Sequence, residues 1–262
     1  MTQPALPPIA AFAALLLAAG AATAADDAAN PAVVPYRPSV STPAQLSAPG
    51  WLELEAGVLR ANGPASGSSR FTVPYTLKLA FTPDWGIRIG GDAWVRQADA
   101  GTTASGSGDT SVVLKRRFAI DDASAWGLEL GEKIPSAGST LGSGRADTTL
   151  NAIYSTDFAS SWHTDLNLNE TRLGVPSGAP RAWQTGWAAA LSRQVDDTWG
   201  VVGEFSGTRE TGVPSTAQFL AAASYAAAPA AVFDFGLAHG LNDASAHVQV
   251  FAGMTLRLGK VF

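Results

Sequence analysis

The 262-residue chain has no cysteine, only four lysines (Lys78, Lys115, Lys133, Lys260), and few charges of either sign. The absence of cysteine excludes disulfides, thiolate catalysis and cysteine-ligated zinc or iron–sulfur sites. Charged residues make up 15% of the chain, against about 25% in ordinary soluble domains. A net charge of −5 removes nucleic acid from the partner classes, because such binders need a basic face. After residue 24 no segment reaches 18 consecutive apolar residues, so no spanning helix is expected there. An exported chain without such helices is either soluble or a transmembrane β-barrel. What the sequence does have is 46% hydrophobic residues, 27 glycines and eight tryptophans.

Residues 1–24 read as an export signal. Ile9 to Ala22 is apolar apart from Gly20, and Ala22-Thr23-Ala24 has the small-x-small pattern of a cleavage site. The n-region lacks Lys and Arg, and Pro4, Pro7 and Pro8 shorten the apolar run below the ~20 residues that a membrane span needs. Residues 25–50 carry Pro31, Pro35, Pro38, Pro43 and Pro49 with little periodicity, which predicts an extended periplasmic arm. Its role as plug, gate or tether is open at this level.

From Trp51 onward the text alternates with period 2. Phe71, Val73, Tyr75, Leu77, Leu79 and Phe81 face one way, and Thr72, Thr76 and Lys78 the other. Val248, Val250, Ala252, Met254, Leu256 and Leu258 repeat the pattern in the last run. Twelve such runs lie between residues 51 and 262, most near the 9–11 residues of a tilted transmembrane strand. Short connections such as Thr82-Pro83-Asp84 alternate with Gly/Ser/Thr-rich ones at 61–70, 98–108, 136–146, 170–181, 208–216 and 240–247. That alternation places both termini on the short-turn, periplasmic side. Trp85, Trp126, Trp162 and Trp199 follow short turns at spacings of 41, 36 and 37 residues, one per hairpin, as an interfacial aromatic girdle requires. Trp51 and Trp94 sit on the wrong parity for it. The terminal Phe262, with Met254, Leu256 and Leu258 upstream, resembles the outer-membrane assembly signal.

The opposite parity lines a lumen. The residues expected along the solute pathway are Lys78, Arg88, Asp92, Arg96, Lys115, Arg117, Glu129, Lys133 and Asp165. Charges belong on that face because Arg or Lys on the lipid face costs ~2–4 kcal/mol at the midplane. Arg116, Glu132 and Arg193 break the parity near strand ends, where long side chains snorkel. Two readings of the lumen charges stand: a transverse field across a constriction, or cross-strand pairs such as Lys115 with Glu129 that fill a modest interior. Catalytic arrangements are scarce. Ser161, His163 and Asp165 form a row on one strand rather than a converging triad. His239 and His247 flank an external loop with no legible partner set. No metal-ligand spacing, nucleophile elbow or phosphate loop is present, and no cofactor is implied.

Gly108-Asp109-Thr110-Ser111-Val112-Val113-Leu114-Lys115 resembles the "GD-(four)-LK" strand of the MetA-pathway of phenol degradation family. Leu128-Glu129-Leu130-Gly131-Glu132-Lys133-Ile134-Pro135 is similar to that family's next strand. Asp165-Leu166-Asn167-Leu168-Asn169 and the run Phe233 to Leu241 look like later ones. The resemblance implies an outer-membrane barrel passing small, often aromatic or hydrophobic compounds, and carries over no catalytic residue.

The expectation is a twelve-stranded antiparallel transmembrane outer-membrane β-barrel over residues 51–262, behind the signal and the arm. The expected function is passive passage of small organic solutes, including aromatic or hydrophobic ones, with no enzymatic activity. Expected partners are membrane lipids and lipopolysaccharide, and the barrel-assembly machinery through the C-terminal strand. A barrel enzyme acting on lipids, with His239 or His247 as base, and a closed structural barrel are the alternatives.

Overall fold

The computed structural model describes residues 30–180 and 182–262; the expected export signal at 1–24 and the start of the arm lie outside the described residues. Thirteen strands follow in chain order among the described residues. They are β1 (Trp51–Asn62), β2 (Ser69–Ala80), β3 (Trp85–Asp99), β4 (Thr102–Gly106), β5 (Thr110–Ala119), β6 (Ser124–Ile134) and β7 (Asp147–Phe158). Then come β8 (Trp162–Leu173), β9 (Ala182–Gln194), β10 (Trp199–Glu210), β11 (Val213–Ala228), β12 (Ala231–Gly240) and β13 (Val248–Lys260). Every neighbouring pair is antiparallel, β1 pairs with both β2 and β13, and β2 pairs with β3, so the sheet closes on itself. β4 pairs only with the outer end of β3, while β5 takes the rest of that strand. The barrel therefore has twelve strands, and β4 is a flap folded back within the 98–108 connection. Closure leaves no open edge, which is the condition for a sheet to cross a bilayer.

Burial is inverted relative to a soluble protein. Leu130, Leu150, Leu168, Phe205, Phe235 and Leu237 are all at least half exposed, while Lys115, Glu53 and Glu204 are sealed inside. An outward belt of this size is made for lipid rather than water. The short-turn girdle forms aromatic rows: Phe118, Trp126 and Tyr154 stand opposite one another across β5, β6 and β7, and Trp199 and Tyr225 across β10 and β11. The rings of Trp126 and Tyr154 lie 4.9 Å apart, as do those of Trp199 and Tyr225. Arg116 lies over Trp85 and Phe118, and Arg193 over Trp162, so these two off-parity arginines sit on the girdle. Trp51 turns inward and stacks 4.9 Å from the guanidinium of Arg257.

Two local features depart from the sequence reading. Strands run past several predicted ends: β10 and β11 are joined through Thr211-Gly212, with Gly212 at φ 81°, where a long loop over 208–216 was expected. Opposite Pro74, the register slips by one residue, pairing Asp92 with Pro74 but Trp94 with Val73. Proline has no N–H to give the ladder, so a bulge is its natural place in a strand. Beyond the bulge the parity of β3 inverts. Trp94 turns outward to the lipid side, Val95 is fully buried, and Arg96 lies opposite Phe71 on the outer face. Arg96 is thus removed from the expected lumen set, and Trp94 joins the outer surface.

Candidate functional site

Residues 31–49 belong to the arm whose role the sequence left open as plug, gate or tether. They do not trail into the periplasm but rise into the barrel from the short-turn end and return to it. At the entrance, Val33 N–H donates to Pro229 O at 2.8 Å, and Arg257 Nη1 donates to Pro31 O. At the exit, Gly50 N–H donates to Ala80 O at 2.9 Å.

An extended, proline-interrupted chain makes no ladder of its own, so its buried N–H and C=O groups need partners from the wall. Wall acids supply the acceptors. Val34 N–H lies 3.3 Å from both oxygens of Glu53, and Tyr36 N–H donates to Glu55 Oε1 at 2.6 Å. Glu204 accepts from Val40 N–H at 3.1 Å, Ser41 N–H at 2.8 Å and Ser41 Oγ at 2.7 Å. Asn167 takes Thr42 at both ends, accepting its N–H at 3.0 Å and donating to its C=O at 2.9 Å. Ala44 N–H donates to Ser155 Oγ at 2.7 Å, and Ala44 packs with Ala125 and Ile153. Wall bases supply the donors. Lys78 Nζ donates to Val34 O, and Lys115 Nζ to Pro43 O.

Tyr36 is the centre of this arrangement. Its ring centroid lies 4.2 Å from the ammonium of Lys78 and 4.2 Å from that of Lys115, with the Arg88 guanidinium 5.7 Å away. Its hydroxyl accepts from Lys115 at 3.1 Å and donates to Gln45 O at 2.8 Å. Glu53 and Glu55 balance Lys78 at 3.0 and 2.7 Å, and Glu129 balances Arg88 at 2.8 Å and Lys115 at 3.5 Å. Cations flanking a ring face in a site shielded from water are each stabilised by about 2 kcal/mol.

Two cavities lie on either side of the arm, and a third of about 550 Å³ lies by Arg70, Asp92, Asp109 and Lys133 nearer the long-loop mouth. Of the first two, one of about 800 Å³ opens toward the short turns and is lined by Ser39, Ser41, Pro43, His163, Asp165 and Ser192 among others. The other, about 580 Å³, opens toward the long loops and is lined by Val40, Thr42, Arg88, Asn151, Asn169 and Gln218 among others. The two share no lining residue, and the stretch Ser39 to Pro43 presents alternate residues to each, so that single extended segment is the partition.

The expected pathway residues divide among these regions. Lys78 and Lys115 are buried against the arm, and Lys115 stands directly opposite Glu129 across β5 and β6. Arg88 and Glu129 form the floor of the long-loop cavity. Asp92 pairs with Arg70 at 3.3 Å, and Lys133 bridges Asp147 at 2.6 Å and Asp109 at 3.6 Å, all near the long-loop mouth. Asp165 lines the short-turn cavity. Arg117 keeps the inward parity of β5 near the Asp84 turn, apart from the cluster. Tyr36, Arg37, Ser41, Thr42, Asn151, Asn167 and Ser155 were not expected at the site. A surplus of charges on the inner wall was their only trace in the sequence.

The histidines form no nucleophilic site. His163 Nδ1 contacts Asp157 at 2.6 Å and Nε2 contacts Asp165 at 3.0 Å, so neither nitrogen faces a serine, while Ser155 Oγ donates to Asp165. His239 lies on the outer face opposite Phe219, and His247 is in the exposed loop before β13. Neither ring has a side-chain hydrogen-bond partner among the described residues.

No protein-family model and no characterised protein sequence matches the chain. Solved structures do. A COG4313 outer membrane channel from Pseudomonas putida F1 is similar over 82% of this chain and 97% of its own, with TM-score 0.66 and 13% identity. The NanC porin covers 79% of this chain and 100% of its own, with TM-score 0.57 and 10% identity. A CymD monoaromatic hydrocarbon channel covers 82% and 90%, with TM-score 0.50 and 9% identity. The likeness is one of fold: a closed, twelve-stranded antiparallel barrel of the outer-membrane type.

Proposed function

We propose that this chain is an outer-membrane channel for small organic solutes, gated by its own N-terminal arm. The observation that carries the reading is the partition. Two polar-lined cavities face opposite ends of one barrel, and among the described residues Ser39 to Pro43 is the segment that lines both, presenting alternate residues to each. That segment is held by hydrogen bonds to side chains, not by a covalent tie or a packed apolar core. Twelve strands enclose more space than the filled eight-stranded barrels and less than porins of 16–18 strands. A strand-thick plug is enough to close such a lumen, and its removal would open it.

The fold neighbours support the reading, since those named above are described as channels or a porin. The solute class extends in this proposal to aromatic or hydrophobic compounds of the kind that CymD's name states. The phenol-degradation family remains a resemblance in this reading, as do the export signal at 1–24 and recognition of β13 by the assembly machinery. Arg60 and Arg96, which flank Phe71 on the outer face at the long-loop end, would meet lipopolysaccharide phosphates there.

A closed structural barrel is the second reading, because the cavities are separate in the structure. Planar-bilayer recording of the refolded full chain and of a variant lacking residues 31–47 distinguishes the two. The channel reading expects discrete steps that are several-fold larger in the deletion variant. Absence of steps in both would overturn it and leave the structural barrel.

A further inference from the structure

We propose that the wall notch formed by Gly57, Gly253 and Asp234 is a binding site for a solute guanidinium, a site that Arg37 of the arm fills while the channel is closed. The inference rests on the channel reading and adds a solute class to it: small organic cations that end in a guanidinium or amidinium.

The occupant defines the ligand. Arg37 is the only charged residue in the arm segment 31–49. Its guanidinium gives Asp234 two N–H groups side by side, Nε to Oδ2 and Nη2 to Oδ1, each at 3.0 Å. Among the described residues no other group hydrogen-bonds to that carboxylate or pairs with it. The floor of the notch is backbone without side chains. Gly57 and Gly253 stand directly opposite each other on β1 and β13, and Gly253 stands opposite Asp234 on β12. A Cβ on Gly57 would come within 2.9 Å of Arg37 Cζ, and one on Gly253 within 2.6 Å. The guanidinium therefore fills space that any larger residue at either position would take. A narrow slot with a carboxylate at its end matches a planar cation that donates two parallel N–H groups.

The wall's other charges set this carboxylate apart. Lys78 has Glu53 and Glu55, and Arg88 and Lys115 share Glu129, so those pairs lie wholly within the wall and outlast any movement of the arm. Arg37–Asp234 is, among the described residues, the ion pair that joins arm to wall. An arm that leaves takes the cation with it and bares Asp234 in a slot already shaped to a guanidinium. Water then meets the hydrogen bonds of the carboxylate but not its charge, so the vacated notch favours a cation. An ammonium brings the charge at one point without the parallel pair, and a urea brings flat N–H groups without the charge. The notch also borders open space. Arg37 and Ser224 line the 800 Å³ cavity, and Ser224 stands opposite Asp234 across β11 and β12. A solute in that cavity reaches the notch from the short-turn side.

The test is saturation-transfer NMR on the refolded full chain carrying Arg37→Ala, which vacates the notch. The probes are methylguanidinium, methylammonium and uncharged N-methylurea. The proposal expects saturable methylguanidinium binding, with the other two weaker by about tenfold. The parent, whose own Arg37 competes, should bind methylguanidinium several-fold more weakly than the variant. Adding Gly253→Ala to Arg37→Ala puts a methyl group into the slot and should abolish the binding. The variant lacking residues 31–47 also vacates the notch and serves if Arg37→Ala misfolds. Absence of saturable methylguanidinium binding in both vacated proteins overturns the proposal. Equal or tighter binding of methylammonium or N-methylurea overturns it too, as does binding that survives Gly253→Ala. Conductance is recorded separately in the parent and the deletion variant. Steps without methylguanidinium binding defeat this inference alone, and binding without steps in either protein defeats the channel reading alone.

Discussion

Arg37 and Asp234, 197 residues apart, are locked fork to fork inside the barrel, Nε to Oδ2 and Nη2 to Oδ1, each at 3.0 Å. The guanidinium lies across a glycine row. Gly57 stands opposite Gly253, which in turn stands opposite Asp234, so β1, β13 and β12 present a notch with the carboxylate at its end. Among the described residues it is the arm's one bidentate charge pair, and it joins the arm to a wall not reached by Tyr36 or Thr42.

Replacing Arg37 by Ala leaves the Asp234 carboxylate buried and alone, which costs about 3–5 kcal/mol for a pair of this burial. The arm can escape that cost by leaving the notch. Arg37→Ala is expected to raise the open probability in planar bilayers while the barrel still folds. Heat-modifiable gel mobility reports the fold. Unchanged gating in a folded variant would remove the arm from the gate.

The notch can be altered without touching the arm. A methyl group at Gly253 would come within 2.6 Å of Arg37 Cζ, and one at Gly57 within 2.9 Å. At Gly253 the nearest atoms all belong to Arg37 and no positive φ is needed, so the cost of alanine there falls on Arg37, whereas at Gly57 the methyl would also meet Ala252 O at 2.7 Å. Gly253→Ala should reproduce the gating change of Arg37→Ala, and the double variant should add little to either. Full additivity in the recordings would show that the two act separately.

Glu204 is fully buried and accepts three hydrogen bonds from Val40 and Ser41. A glutamine there turns an NH₂ toward donors of the arm and removes a charge-assisted acceptor. Glu204→Gln should increase protease access to residues 39–43 from the short-turn side, with a several-fold faster cleavage in vesicles. Equal cleavage rates would locate the hold on the partition elsewhere.

The bulge opposite Pro74 makes a prediction about sides. Leu168 is 59% exposed in the belt, so Leu168→Arg should destabilise the barrel in vesicles by ~2–4 kcal/mol. Arg96 sits near the rim on the same outer surface, so Arg96→Leu should cost under ~1 kcal/mol and leave solute passage unchanged. Reversible guanidinium unfolding in liposomes measures both. A conductance change in Arg96→Leu would return that side chain to the lumen.

One turn carries a pH signature. Asp196, in the exposed turn between β9 and β10, accepts from Thr198 N–H, Trp199 N–H and Thr198 Oγ1, which holds its carboxyl below the usual carboxylate range. A depressed folded pKa means that its stabilising contribution is complete above the unfolded value. It is lost as pH falls through the folded value. The Trp199 amide shift should therefore titrate on the acid side of an ordinary aspartate, and Asp196→Asn should abolish that step.

Period-2 alternation settled the barrel from sequence alone, because a closed sheet between lipid and water forces each strand to declare its two faces. Leu128, Leu130 and Glu129 could be sided with no coordinates. The aromatic girdle was legible for the same reason: Trp85, Trp126 and Trp199 each follow a turn at one interface. Arg96 was not, because a single slipped register beside Pro74 reverses every later side chain of β3, and the slip depends on a neighbouring strand. The arm was least legible of all. Its prolines announce an extended chain, but where that chain lies depends on wall groups far along the sequence, such as Glu55, 19 residues from Tyr36, and Asp234, 197 residues from Arg37. Local pattern fixes which side chains face inward; only the closed barrel decides what their unmet hydrogen bonds find there.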